Sequence, residues 1–399
     1  MIRTMIITDE KRIEEILTRG TEDIFVKEHL REALSSRKQL RVKLGIDPTG
    51  PAIHLGRAVA LRKLKAFQDL GHKAVLIIGD FTAKIGDPSD KLEKRPMLTD
   101  AEIKKNLRNY LEQIGKVVDL KKAEVRYNSE WLKKMDFIET GKLLECFTLQ
   151  QMSKRRNFKE RLDRGEDIFV VELLYPALQG YDSVAVKADV ELGGFDQLFN
   201  LKAGRVVQKR YGQKEQDIMT VSMLEGTDGR KMSASWGNVV SLLDTPKEMF
   251  GKLMALRDNL VIKYFTLATD VPLSQIATFE KGLETGSNPK DLKMKLAHEI
   301  VKIYHGEKEA QKVEDDFVNT FQKGEIPEEM AEVKIKRGET LMDILVKAKI
   351  VSSKSDFRRL VQEGAIINLG TGEKITDPNF VPGSGMKFKI GKRRFVKIL

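Results

Sequence analysis

A nearly unbroken apolar run, HKAVLIIGD (72–80), constrains this chain more than any other stretch. A strand that faces water on one side alternates polar and apolar residues, whereas one covered on both faces does not, and both-sided cover is the mark of a parallel sheet. Upstream, LRVKLGI (40–46) reads as a second strand. Between them HLGRAVALRKLKAFQDLG (54–71) reads as an amphipathic helix, with Leu55, Val59, Leu64 and Phe67 near one stripe and Gly71 as its stop. Strand, helix and strand in such short order predict a right-handed βαβ unit opening a doubly wound α/β domain.

The rest of the chain punctuates this pattern. From Thr99 to Arg164 the sequence is charged and helical with few strand signals. DIFVVELLYPALQGYDSVAV then reads as a helix running into strand-like SVAVKADVELGG, followed by a helix over Phe195 to Arg210 and the loop EGTDGRKMSAS. An insertion between two halves of one nucleotide-binding fold accounts for the interruption. Thr245 to about Gly324 is helical and strongly charged, IPEEMAEVKIKRGET (326–340) reads as a linker, and SSKSDFRRLVQEGAIIN carries helix then strand in a last α+β unit. At 399 residues, two to four domains are expected.

Composition excludes several chemistries. Cys146 is the only cysteine and there are five scattered histidines, which leaves no disulfide framework or clustered His/Cys metal site. Any metal is expected to be a hard cation held by oxygens or carried in with a substrate. No run of eighteen apolar residues occurs, and MIRTMIITDEKRIEEIL places acidic residues where a signal peptide is apolar, so a soluble, cytoplasmic protein without membrane attachment is expected. The net charge of +11 favours a polyanionic partner. Thr340 to Leu399 holds 12 Lys and Arg against 5 Asp and Glu, a net +7, so most of that charge sits in the last unit.

Four stretches carry candidate chemistry. LGIDPTGPAIHLGR (44–57) crowds Asp47, Pro48, Thr49, His54 and Gly56 between strand and helix. A helix N-terminus offers free N–H groups and positive potential to phosphate, although a lone histidine there is more often structural. GRKMSAS (229–235) is a loop whose Arg230 and Lys231 can stabilise charge developing on a leaving pyrophosphate. Tyr175, Gln179 and Asp182 stand at i, i+4 and i+7, which puts three polar groups on one face of an apolar helix. GGFDQLFN (193–200) pairs two glycines with Asp196 and Gln197. By strand period, Lys43, Gly45 and Asp47 share one face.

Together, HLGR and KMSAS resemble the HIGH and KMSKS signatures of class I aminoacyl-tRNA synthetases. IDPTGPAIHLGR, IIGDFTAKIGDPS, ELLYPALQGYDSVAV, ELGGFDQLFN and the basic tail resemble the bacterial-type tyrosyl-tRNA synthetases over essentially the whole chain. That resemblance implies a Rossmann-like doubly wound parallel-sheet catalytic domain over 1–240, with a helical connective insertion at roughly 115–170. It further implies a helical anticodon-binding domain over 241–325, a linker over 326–339 and a small α+β S4-like RNA-binding domain over 340–399. The implied reaction is tyrosine activation by ATP, brought in with Mg²⁺ and no tightly bound protein metal, then transfer to tRNA(Tyr), in a homodimer. The implied catalytic residues are His54, Thr49, Arg57, Lys231 and Arg230. ATP would meet Asp47, Pro48, Gly56, Gly193, Gly194, Asp196, Met232, Ser233, Ala234 and Ser235. Tyrosine would meet Lys43, Asp87, Tyr175, Gln179, Asp182 and Gln197, with Asp182 at the phenol and Lys43 where some relatives place a tyrosine. Lys354, Arg358 and Arg359 would contact RNA phosphates, contributing affinity more than sequence choice.

Two positions depart from the family pattern: Arg57 stands for the second histidine and Ala234 for the second lysine. The expectation is that Arg57 gives the triphosphate a permanent charge in partial compensation. Two other readings are a tryptophanyl enzyme, which has no use for a carboxylate at Asp182, and a non-catalytic RNA-binding paralogue.

Overall fold

The computed structural model describes residues 5–88, 97–153, 155–233, 236–321, 330–335, 338–391 and 394–399. It divides into two compact units, Met1–Ala310 and Gln311–Leu399. The first is built on a six-stranded sheet: β1 (Thr21–Phe25), β2 (Arg41–Ile46), β3 (Lys73–Ile78), β4 (Glu124–Tyr127), β5 (Val190–Gly194) and β6 (Asp217–Val221). Their spatial order is β1-β6-β5-β2-β3-β4. Every neighbouring pair is parallel except the edge pair β1 and β6. This is the Rossmann-like α/β fold.

The apolar run behaves as its composition requires. Val75, Leu76, Ile77 and Ile78 of β3 are all fully buried, each contributing about 2 kcal/mol through apolar area removed from water. Leu44 of β2 sits in register with Leu76 on one side and Leu192 on the other. The chain leaves β2 toward β3 and later returns to β5 on the opposite side, so strand order reverses between β2 and β5. In open parallel sheets, ligands bind beyond the strand ends at that reversal. The loops there are DPTGP after β2 and GGFDQ at the end of β5.

Three elements differ from expectation. SVAV is not a strand: the helix Val170–Val186 runs through it, Lys187 turns the chain at φ 50°, and β5 starts only at Val190. Its β-branched residues favour strand locally, but packing of one long helix on the sheet overrides that preference. The charged region contributes β4, which pairs in parallel with β3; only Val125 and Tyr127 are apolar in this short edge strand, so its signal is weak. The helical stretch expected as a separate domain from 241 belongs, up to Ala310, to the same compact unit as the sheet.

The second unit holds a sheet of β7 (Ala331–Val333), β8 (Ile366–Asn368), β9 (Lys387–Ile390) and β10 (Arg394–Ile398), in the order β7-β10-β9-β8. Helices Leu341–Lys347 and Lys354–Gln362 supply Leu341, Leu345, Phe357 and Leu360 to a core shared with Phe388, Ile390, Val396 and Ile398. β7 lies inside the stretch expected to be a plain linker and pairs in parallel with β10.

Candidate functional site

The backbone brings the two signature motifs together. Leu55 N–H donates to Val240 O and Leu242 N–H to Ile53 O, across 2.9 and 2.8 Å, which zips the first turn of the helix Leu55–Asp69 to the segment just after KMSAS. Gly56 is where they touch: its N–H points at Met232 Sδ, 3.3 Å away. A Cβ there would lie 3.1 Å from the His54 ring and 3.2 Å from that sulfur, so only glycine fits without displacement. His54 takes the N-cap position without making a side-chain cap bond. Its Nδ1 is buried with no hydrogen-bond partner among the described residues. Burial first, then Arg57 and Lys231, pull its pKa down to about 4, so the ring is neutral near pH 7.

Arg57 is clamped. Nη2 donates to Thr49 Oγ1 (2.6 Å) and Nη1 to Tyr110 Oη (2.9 Å). Pro48 O accepts from Asn106 Nδ2 at 2.8 Å. Arg57 thus holds Thr49 in one orientation, and its partners, a hydroxyl and a phenol, leave its charge in place. On the facing loop, Arg230 pairs with Asp228 and lies over the Trp236 ring at 4.8 Å. Asn238 holds the loop's shape by donating to Asp228 Oδ1 and Lys231 O and accepting from Ser233 N–H. Lys231 Nζ is 3.3 Å from Asp196 Oδ2. Ala234 and Ser235 lie outside the described residues.

Above β2 the sheet opens. Lys43 is buried, yet Gly45, two residues on along the same face, is exposed and a Cβ there would meet nothing within 4 Å. Around this opening stand two carboxylates joined by a hydrogen-bonded chain. Asp47 Oδ2 accepts from Tyr175 Oη (2.9 Å) and Oδ1 from Thr82 Oγ1 (2.8 Å). Asn128 Nδ2 donates to both Thr82 Oγ1 (2.9 Å) and Asp182 Oδ2 (3.3 Å), and Trp131 Nε1 donates to Asp182 Oδ1 at 2.8 Å. Burial pushes Asp182 up to about 7 against the pull of Lys43, Trp131 and Asn128. It pushes Asp47 up to about 6, against hydrogen bonds from Thr82 and Tyr175. Gly79 makes room here, because a Cβ would fall 1.8 Å from Asp47 Oδ1.

Lys43, on β2 as expected, is engaged within the protein. Its ammonium lies 2.8 Å from Ser183 Oγ, 2.9 Å from Gln179 O and 2.9 Å from Glu191 Oε1, so each of its three hydrogens has an acceptor inside the protein. None is left for a phenol. Asp87, by contrast, joins the candidate residues beyond β5: it accepts from Gln197 Nε2 and from Asn200 Nδ2. Gly193 and Gly194 end β5, and Asp196 is exposed at the start of the following turn.

In the second unit, Lys354, Arg358 and Arg359 share the helix Lys354–Gln362. Lys354 pairs with Asp343 at 2.8 Å, and Arg359 with Asp356 and Glu363 at 2.7 and 2.8 Å. Arg358 is exposed.

Sequence reasoning missed Trp131, Asn128, Thr82, Tyr110, Glu191 and Asn238. Glu191 had a signal, since a carboxylate inside the apolar run of β5 needs a buried partner. Trp131 and Asn128 had none, because they reach Asp182 from the edge of the sheet through β4.

Comparisons with known proteins give the family. The family profile "tRNA synthetases class I (W and Y)" matches residues 35–322. The tyrosine--tRNA ligase of Thermotoga maritima is 47% identical, with 98% of each chain covered. That of Dehalococcoides mccartyi is 46% identical over 97% of this chain and 98% of its own. Among solved structures, a C-terminally truncated mitochondrial tyrosyl-tRNA synthetase from Aspergillus nidulans superposes with a TM-score of 0.67 at 20% identity, covering 78% of this chain and 95% of its own. The Archaeoglobus fulgidus tyrosyl-tRNA synthetase complexed with L-tyrosine gives 0.61 at 21% identity, covering 77% of this chain and 100% of its own. With the profile spanning most of the chain and relatives this similar along nearly all of it, the chain belongs to the class I tRNA synthetases, in the tyrosine--tRNA ligase family.

Proposed function

We propose that the site performs the two steps of a tyrosine--tRNA ligase with the residues described above. The tyrosine carboxylate attacks the α-phosphorus of ATP; the bond to the β-phosphate breaks and pyrophosphate leaves. A ribose hydroxyl of the 3′-terminal adenosine of tRNA(Tyr) then attacks the tyrosyl carbonyl, AMP leaves, and the hydroxyl proton passes to solvent. Neither step needs a covalent enzyme intermediate, so catalysis is positioning and charge stabilisation. Asp182 accepts the phenolic hydrogen. Tyr175, Gln179 and Asp87 receive the α-ammonium, and Gln197 orients the carboxylate. Asp196 accepts the ribose hydroxyls beside Gly193 and Gly194. His54, Thr49, Arg230 and Lys231 face the phosphates, on which Mg²⁺ arrives, at the N-terminus of the helix Leu55–Asp69. The observation that carries the reading is Asp182, a buried carboxylate that accepts from Asn128 and Trp131 and stands on the helix that also carries Tyr175 and Gln179.

Partners follow from surfaces. The connective region exposes Phe137 (89%), Ile138 (66%), Leu149 (68%) and Val170 (76%), which suits a homodimer contact. The second unit, S4-like in its basic helix and small sheet, binds tRNA backbone, and the segment 241–325 reads the anticodon arm. No helix among the described residues is long and apolar enough to cross a membrane; the proposed location is the cytoplasm.

Charging assays with labelled amino acids test the whole reading. Tyrosine incorporated into tRNA to the exclusion of tryptophan and phenylalanine is the expected result. Incorporation of tryptophan instead, or of neither by folded protein, overturns it.

A further inference from the structure

Gln179 has a buried carbonyl oxygen, Oε1, with no hydrogen-bond partner among the described residues, although the side chain is only 9% exposed. An amide has two ends, and the partner of one decides where the other points. The Gln179 NH₂ group donates to Glu191 Oε1 at 3.0 Å. Glu191 is fully buried and paired at 2.9 Å with the equally buried Lys43, its register partner on β2. Its other oxygen accepts from Ser183 Oγ at 3.0 Å and from Gln216 Nε2. The carboxylate therefore already has four donors around it. Facing such a group, Gln179 can present only its NH₂, and Oε1 is left on the helix face it shares with Tyr175 and Asp182.

We propose that Glu191, seated by Lys43, is a positioning residue for tyrosine recognition: it fixes the Gln179 amide so that Oε1 awaits the α-ammonium of the substrate. This rests on the tyrosine site proposed above. Lys43 and Glu191 touch no substrate; they act through Gln179, and Lys43 also holds the Gln179 carbonyl of the main chain. The device gives the pocket a preference for a cation at one point without placing a free charge there.

Two tyrosine fragments separate this role from general support of the fold. Tyramine keeps the ammonium and lacks the carboxylate; 3-(4-hydroxyphenyl)propionate keeps the carboxylate and lacks the ammonium. Both are assayed as competitive inhibitors of tyrosine-dependent pyrophosphate exchange. In the double variant Lys43→Met/Glu191→Leu, which replaces a buried ion pair by apolar groups of similar size and is often tolerated, tyramine should weaken roughly tenfold or more, the scale of a lost bond to a charged group. The propionate should bind within about twofold of wild type on the same scale. Glu191→Asp keeps a negative charge near Lys43 but withdraws Oε1, which Lys43 and Gln179 share, from both, and should show the same selectivity if the double variant does not fold. Glu191→Gln, which can keep a carbonyl oxygen toward Gln179, should restore tyramine binding. Equal weakening of both fragments in either folded variant overturns the proposal and leaves the function standing. A wild-type protein without tyrosine-dependent exchange instead removes the reading on which the proposal rests.

Discussion

Nη2 of Arg57 donates to the hydroxyl of Thr49 across 2.6 Å, while Nη1 of the same guanidinium donates to Tyr110. The arginine that stands for the second signature histidine is thus bonded to the DPTGP loop after β2. A planar fork with two fixed donors holds Thr49 in a way that a lysine ammonium does not. Arg57→Lys should lower the rate of adenylate formation about tenfold, the scale of one charge-assisted hydrogen bond, with the KM for tyrosine unchanged. Single-turnover kinetics check this, and a rate equal to wild type would return Arg57 to the role of a diffuse charge.

Asp182 yields a pH prediction. Burial holds its pKa at about 7 in the folded, ligand-free protein, above its ordinary value. In the proposed role at the phenol the ionised carboxylate is the stronger acceptor, so the KM for tyrosine should rise as pH falls below about 7. The same shift acts on stability. Between the ordinary carboxylate range and about 7 the folded state binds the proton that the unfolded state has lost, so stability falls as pH rises through that window. In Asp182→Asn both slopes should flatten, as read from KM profiles and from melting temperature against pH.

How much of this is visible in the sequence depends on the range of the interaction. The βαβ unit is legible because Val75 to Ile78 are buried on both faces and say so in four consecutive letters. Tyr175, Gln179 and Asp182 are legible because helix spacing alone aligns them. Trp131 and Asn128 are not, since their approach to Asp182 depends on β4 pairing with β3, a contact that no local pattern announces. Lys43 shows the limit most clearly. Strand periodicity gives its face, but what its ammonium bonds to is set by Glu191 on the neighbouring β5 and by Gln179 and Ser183 on the helix Val170–Val186.

The basic helix of the second unit makes a ranking of its cations possible. Lys354, Arg358 and Arg359 are all exposed, but Arg359 is already paired with Asp356 and Glu363, and Lys354 with Asp343. Arg358→Ala should weaken tRNA binding and reduce the slope of log K against log salt by about 1, as expected for one lost phosphate contact. Arg359→Ala should do less, because two carboxylates compete with phosphate for its guanidinium. Filter binding over a salt series distinguishes them.

The exposed apolar residues of the connective region predict assembly. Phe137→Glu buries a charge if that surface closes in a dimer, and should shift the protein toward monomer in sedimentation equilibrium. The second unit is not touched by this change, so isolated tRNA backbone affinity should persist. An unchanged association constant would place the interface elsewhere.

In the proposed function this site activates tyrosine with ATP. Exchange of labelled pyrophosphate into ATP measures that step directly, with no tRNA present. Exchange should require L-tyrosine, find no support from tryptophan or phenylalanine, and be lost in Lys231→Ala while tRNA binding remains. Folded protein that gives no tyrosine-dependent exchange with ATP and Mg²⁺ would contradict the proposed function.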